Sequence, residues 1–563
     1  MDLTPLSDVV LLVQEDALIR QELGFVILIS IAALVAIVIR RIRLPYTVAL
    51  VVVGVVLSFF PNFLGLTFSS EVILDILVPP LLFEATLQIK WEKLKNDLAP
   101  ILALALIGTL LGTVLVGAIV IQLLDIPLLA AVAFGALISA TDPVAVIAFF
   151  RTLGVSKRLA ILVEGESLFN DGVAIVIFNL VVGAAALGVE LEVAEALVDF
   201  IVVAFGGIAV GLVLGYIVST IILKNVDDAL IETSTTLALA FGSFAVAESI
   251  GSIIGVPDLH FSGILAVVAA GLMVGNIGFQ NTSPTTKITL DNFWEFLAFV
   301  VNSIVFLAIG LEIQIAQLIP NLGEITVAVV AILLSRAVII YGISWLHQRT
   351  RPNRRIPVAY RHVMYWGGLR GGITLALALT LTGATFGVAV AQELRIMTFG
   401  VVLFTLMVQG TTIAGLIRRL GLADKPEQRV EQQRRQALLY ARRAGQRELE
   451  RLWRDGILFR DIWESMASVY DEEIDRYKLS LREHLQAYPE LEQEMYLQAR
   501  DGVIKAERSA VSDAARRGLI SEEVHDDLIR ELDKRVAALE LIKTSRTQEP
   551  EEVADNEGSF VHE

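Results

Sequence analysis

The chemistry of this chain is concentrated in a ten-residue string, Val163-Glu164-Gly165-Glu166-Ser167-Leu168-Phe169-Asn170-Asp171-Gly172, set in the otherwise apolar run 158–186. A charge at the centre of a bilayer span costs at least about 2.5–3.5 kcal/mol on insertion scales, so carboxylates are kept there for a reason. On a helix, Ser167 and Asp171 share one face, and Glu166 and Asn170 share the neighbouring one. A hydroxyl, an amide and carboxylates gathered at mid-membrane suit a hard monovalent cation, which prefers oxygen ligands. The same carboxylate can take a proton instead. A group that binds either ion, but not both, is the simplest exchanger.

A second cluster is Thr141-Asp142-Pro143. Proline removes a backbone donor and disfavours helix at the residue before it. The freed carbonyls and the Thr141 hydroxyl become candidate ligands, and Asp142 becomes a cap for the second half-helix and a candidate ion contact. Glu84, after Pro79-Pro80, is a candidate third ligand or gate. Arg336 and Arg370 are bases inside apolar runs, and each needs a partner. Glu166 is the expected partner of Arg336. Arg370 lies in Gly367-Gly368-Leu369-Arg370-Gly371-Gly372, where it is placed to neutralise carbonyls at the end of a half-helix. Asp75 and Asp258 read as helix ends, Glu248 reads equally as one or as a site, and Gly206-Gly207 reads as close helix packing.

These residues need a membrane scaffold. Hydrophobic residues make up 55% of the 563. Of the first 420 residues 51 are charged (12%), against 55 of the last 143 (38%), so an apolar front precedes a polar tail. About thirteen runs are long enough to cross a bilayer: 23–39, 45–61, 71–89, 98–124, 128–150, 158–186, 197–223, 234–254, 260–277, 292–311, 323–346, 358–383 and 395–416. With the N-terminus outside, the intervening segments hold 18 bases inside and 2 outside, which places the C-terminus in the cytoplasm. Spans 1–6 and 8–13 would form two inverted six-helix halves, with the breaks of spans 5 and 12 at matching places. The fold class is therefore an all-α polytopic membrane protein with two broken, crossing helices and a helical tail. Its parts are an extracytoplasmic segment 1–22, a transmembrane domain 23–420, a cytoplasmic helical regulatory tail 421–545 and a disordered acidic end 546–563.

Several classes are excluded. There is no cysteine, so thiolate chemistry and Cys-based metal centres are absent. The six His form no HExxH, and the tail has no nucleophile–base motif or phosphate loop, so no enzyme and no cofactor are expected. A net charge of −16 disfavours nucleic acid as a partner. Residues 1–22 carry five acids and one base, unlike a secretory signal. A lone carboxylate between broken helices does not resemble the rings of a channel pore.

The chain resembles the cation/proton antiporter family that includes prokaryotic NhaP proteins and animal sodium/proton exchangers. The resemblance is carried by Ser139-Ala140-Thr141-Asp142-Pro143-Val144-Ala145-Val146, by Glu164 to Asp171, by Ser335-Arg336, by Gly367 to Gly372 and by Gln409-Gly410. It covers roughly 20–420. It implies a homodimer in a bacterial or archaeal cytoplasmic membrane, with a mobile core moving in elevator fashion. It implies Asp171 as the exchanging carboxylate, Thr141 and Ser167 as further sodium ligands, Glu84 as the acidic position some prokaryotic members use, and Glu166–Arg336 as the core ion pair. Asn170 before Asp171 implies electroneutral exchange of one cation per proton. Sodium, with lithium, is the implied substrate, and potassium is the alternative. A regulator of the tail and lipid are the further partners expected.

Overall fold

A computed structural model describes residues 24–39, 45–60, 72–423 and 427–535, save positions 25, 190–191, 227, 257–258, 283, 352–353 and 533. The expected segment 1–22, Asp258 and the end 546–563 lie outside the described residues. Every described element is helical. Lipid offers no hydrogen-bond partner, so an apolar run must satisfy its own backbone, and a helix does this locally.

The elements are α1 (Val26–Ile39), α2 (Tyr46–Ser58), α3 (Val72–Leu77 as a π turn, then Val78–Leu87) and α4 (Trp91–Leu124). There follow α5 (Leu128–Ser139), α6 (Val144–Leu153), α7 (Lys157–Leu187), α8 (Ala194–Asn225), α9 (Ala229–Ile254) and α10 (Gly263–Asn281). The membrane part ends with α11 (Pro284–Glu312), α12 (Leu322–Thr350), α13 (Val358–Trp366), α14 (Gly372–Thr380) and α15 (Val388–Arg419). Among the described residues, nine helices or helix pairs are long and apolar enough to cross a membrane. The other four runs hold shorter helices, α1, α2, α3 and the pair α13–α14.

Starts follow side-chain caps. Ser156 accepts the Leu159 N–H at 3.3 Å, Asp228 those of Leu230 and Ile231 at 2.9 and 3.0 Å, and Ser262 that of Leu265 at 3.3 Å. Helix α4 begins seven residues before the apolar run, because its first turns are amphipathic. Buried Asp97 there leaves helical geometry and takes three bonds from Arg158 at the start of α7, at 2.8, 3.0 and 3.3 Å.

The helices pack as two groups. Helices α2, α3 and α8–α11 pack chiefly among themselves, and so do α4–α7 with α12–α15. In the first group α8 lies directly on the entry to α10. A Cβ on Gly207 would sit 2.3 Å from the Ser262 carbonyl oxygen, so this pair of glycines serves helix packing.

The described residues form two compact units, divided between 424 and 425. The second contains α16 (Glu427–Arg454), α17 (Arg460–Ala487) and α18 (Pro489–Arg516). Helices α16 and α17 form an antiparallel hairpin, closed at its tip by Trp453 stacked on Trp463 (4.6 Å) and along its length by Arg442–Glu473 (2.9 Å). Gly518, at φ +68°, follows α18, and Ser521 caps the next helical stretch through the Val524 N–H.

Candidate functional site

Two helices of the second group are interrupted, and the interruptions meet. Helix α5 ends at Ser139, Ala140 is extended, and Pro143 delays the restart to Val144. Helix α13 ends at Trp366, and α14 begins at Gly372. The Asp142 N–H donates to the Leu369 carbonyl at 2.8 Å, so each break satisfies part of the other. Asp142 Oδ1 accepts the Val144 N–H at 2.9 Å and caps α6. Arg370 Nε donates to the Ile138 carbonyl at the end of α5 (2.7 Å), and its Nη1 to the Gly368 carbonyl. A guanidinium therefore stands where the half-helix presents its negative end.

The crossing is tight enough to dictate a residue. A Cβ on Gly371 would lie 2.0 Å from Asp142 Oδ2. Gly371→Ala is expected to push Asp142 off its cap and to destabilise the protein by about 1–3 kcal/mol, the usual range for overpacking. Thermal unfolding in detergent checks this. An unchanged melting temperature would refute the close fit.

Helix α7 runs past the first break and holds it with three side chains, spaced so that they share neighbouring faces. Asp171 Oδ1 accepts the Thr141 N–H at 3.2 Å. Ser167 Oγ donates to the Thr141 carbonyl. Asn170 Nδ2 donates to the Ser139 carbonyl (2.8 Å) and to Thr141 Oγ1 (3.2 Å), while its Oδ1 accepts from Thr109 Oγ1 (2.5 Å). Thr141, Ser167, Asn170 and Asp171 are all buried.

A cavity of about 360 Å³ reaches these residues along the seam between the two helix groups. Helices α3 and α11 line one wall; the break, α7 and the start of α14 line the other. Asp171, Thr141, Ser167, Asp142 and Glu84 all face it. Asn170 does not. It borders a cleft behind the break, of about 20 Å³, together with Ser139, Glu166, Arg336 and Arg370. Its amide is spent on bracing the break, so the structure sets it apart from the other ion-binding candidates.

Behind the break Arg336 grips Glu166 in a two-pronged pair, Nη1 to Oε1 at 3.1 Å and Nη2 to Oε2 at 3.0 Å. Its Nε and Nη2 also donate to the Met364 carbonyl, at 3.3 and 3.0 Å. Glu166 and Arg336 are both buried. Glu248 accepts the Gly263 N–H at 2.9 Å and caps α10. Asp75 lies in the opening π turn of α3.

Besides Glu164 of the ten-residue string, the cavity presents polar residues that the sequence reading did not single out: Gln88, Arg151, Glu295 and Asn302. A signal existed for two of them. Glu295 and Asn302 are seven apart in an apolar run, hence on one helix face. Arg151 carried no such signal, because it reads as an ordinary base at the end of a span.

Comparison with known proteins agrees with this architecture. Residues 27–419 match the family model described as the transmembrane sodium/hydrogen exchanger. The Na(+)/H(+) antiporter ApNhaP of Aphanothece halophytica is 37% identical, over 85% of this chain and 89% of its own. The Na(+)/H(+) antiporter NhaG of Bacillus atrophaeus is 34% identical, over 89% and 94%. The solved sodium proton antiporter MjNhaP1 of Methanocaldococcus jannaschii shares the fold, with a TM-score of 0.60 at 22% identity, covering 73% of this chain and 100% of that one. A family match over most of the chain, carried by apolar helices that cross at paired breaks, makes this an integral membrane protein of the sodium/hydrogen exchanger family, a family of transporters and not of enzymes.

Proposed function

We propose that the chain exchanges sodium for protons across a membrane, with Asp171 binding the two ions in turn. The carrying observation is the position of Asp171: buried on α7, facing the cavity, and held against the Thr141 N–H at 3.2 Å. Sodium would be held there by Asp171, the Thr141 hydroxyl and Ser167, with Glu84 and Asp142 nearer the approach. The relatives named above are all sodium/proton antiporters, which does not favour the potassium/proton alternative. The test is a pH-sensitive dye in proteoliposomes, with sodium, lithium and potassium added in turn. Dye recovery with sodium and lithium is expected, and no recovery with sodium would overturn the reading.

The seam between the helix groups supports an elevator-type motion. The first half of α7 lines the cavity already described, and its second half, from Ile175 to Leu187, lines another bounded by α8 and α9. Between them Gly172 packs on Leu265, where an added Cβ would come within 2.5 Å. Sliding one group along the other would open the site to one end of this seam and then the other. Two inverted six-helix halves, thirteen spans, a homodimer and a cytoplasmic tail that takes a regulator complete the proposal. The 18-to-2 distribution of bases supports a cytoplasmic membrane with the N-terminus outside.

Exchange is expected to be electroneutral. Within the crossing Asn170 cannot carry a proton, Glu166 is matched by Arg336, and Asp142 is expected to stay charged as the cap of α6, so Asp171 is the exchanging group of α7. One sodium for one proton moves no net charge. The membrane potential acts only on charge moved, at about 2.3 kcal/mol per charge per 100 mV. Sodium-driven dye recovery should thus be indifferent to a potassium–valinomycin potential. A rate or end point that follows the potential would point to a second carrier, and loss of that response in Glu84→Gln would identify it.

A further inference from the structure

We infer that Arg151 is a tethered cation at the mouth of the cavity, held across the seam by Gln88, and that it sets the apparent affinity for the incoming cation on that face. This rests on the transport reading above.

Among the described residues, the cavity is lined by five carboxylates (Glu84, Asp142, Glu164, Asp171 and Glu295) and a single base, Arg151. Arg151 lies in the last turn of α6, where a cation complements the helix end. Its Nη2 donates to Gln88 Oε1 at 2.8 Å. Gln88 Nε2 in turn donates to Glu84 Oε1. An amide has one acceptor end and one donor end, so Gln88 is turned to accept from the guanidinium and to donate to the carboxylate. Arg151 also attracts Glu84 and Glu164 electrostatically.

Two consequences follow. The relay joins α3 of one helix group to α6 of the other, so it spans the seam along which the groups would slide. The guanidinium also occupies the electrostatic position a mobile cation would take beside Glu84 and Glu164. An arriving sodium must compete with it. Arg151 is therefore a positioning and affinity-setting residue and not a ligand.

The experiment compares wild type, R151Q, R151K and Q88L in right-side-out and everted vesicles, which present one face each to added sodium. R151Q removes the charge and keeps a hydrogen-bonding side chain. Loss of one unit charge at a wet cavity mouth should lower the apparent KM for sodium on the order of threefold or more at low salt, less at high salt, and from one face alone. R151K should restore the wild-type KM, and Q88L, which frees the guanidinium, should shift it without removing the charge. A KM for R151Q that is unchanged from both faces, or changed equally from both, would overturn the inference. If wild type itself shows no sodium-dependent exchange, the transport reading fails instead, so the two failures are distinguishable.

Discussion

Asp171→Asn is expected to reduce sodium-dependent proton movement in proteoliposomes to that of protein-free vesicles. The substitution keeps the shape of the side chain, and the amide oxygen can still accept the Thr141 N–H that Asp171 accepts at 3.2 Å. The fold should therefore survive, and the lost property is the negative charge that attracts sodium and accepts a proton. A binding readout separates chemistry from folding. Sodium at a hundred times its Kd would stabilise a protein that binds it by about 2.7 kcal/mol, which raises the melting temperature. Wild type should show that rise, and Asp171→Asn should melt at a sodium-independent temperature close to that of wild type without sodium. Exchange by Asp171→Asn near the wild-type rate would sink the proposal.

The second large effect is on stability. Arg336→Ala leaves Glu166 buried and unpaired, and breaking such a pair by removing one partner costs about 3–5 kcal/mol. The Met364 carbonyl, which accepts two of the guanidinium donors, is orphaned as well. The variant should melt at lower temperature and lose activity with it. Arg336→Lys should rescue little, because one ammonium cannot reproduce a two-pronged grip on Glu166 together with two bonds to Met364. Replacing both charges, as in Glu166→Leu with Arg336→Leu, removes the desolvation cost along with the attraction and should recover part of the lost stability. An Arg336→Ala protein that is fully stable yet inert would show the pair to be part of transport and not of the scaffold.

The contrast between the apolar front of this chain and its polar tail was legible from the residues alone, because solubility in lipid is a property of composition. So was the shared face of Ser167 and Asp171, since helix periodicity is local and lipid leaves an apolar run few other conformations. The breaks at Thr141-Asp142-Pro143 and Gly367 to Gly372 were legible for the same reason: proline and glycine act on their own backbone. What the breaks do was not. Only the tertiary structure decided that the Asp142 N–H finds the Leu369 carbonyl, and that Arg370 reaches back to Ile138 at the far side of the crossing. It also turned Asn170 away from the cavity, toward Ser139 and Thr109, although spacing places it among the ion-binding candidates. Arg151 changed most in meaning, from a base closing a span to the single cation that faces five carboxylates among the described residues. Periodicity fixes which side chains share a helix face. The partner opposite that face is set by contacts between residues tens to hundreds of positions apart, and those depend on how the helices cross.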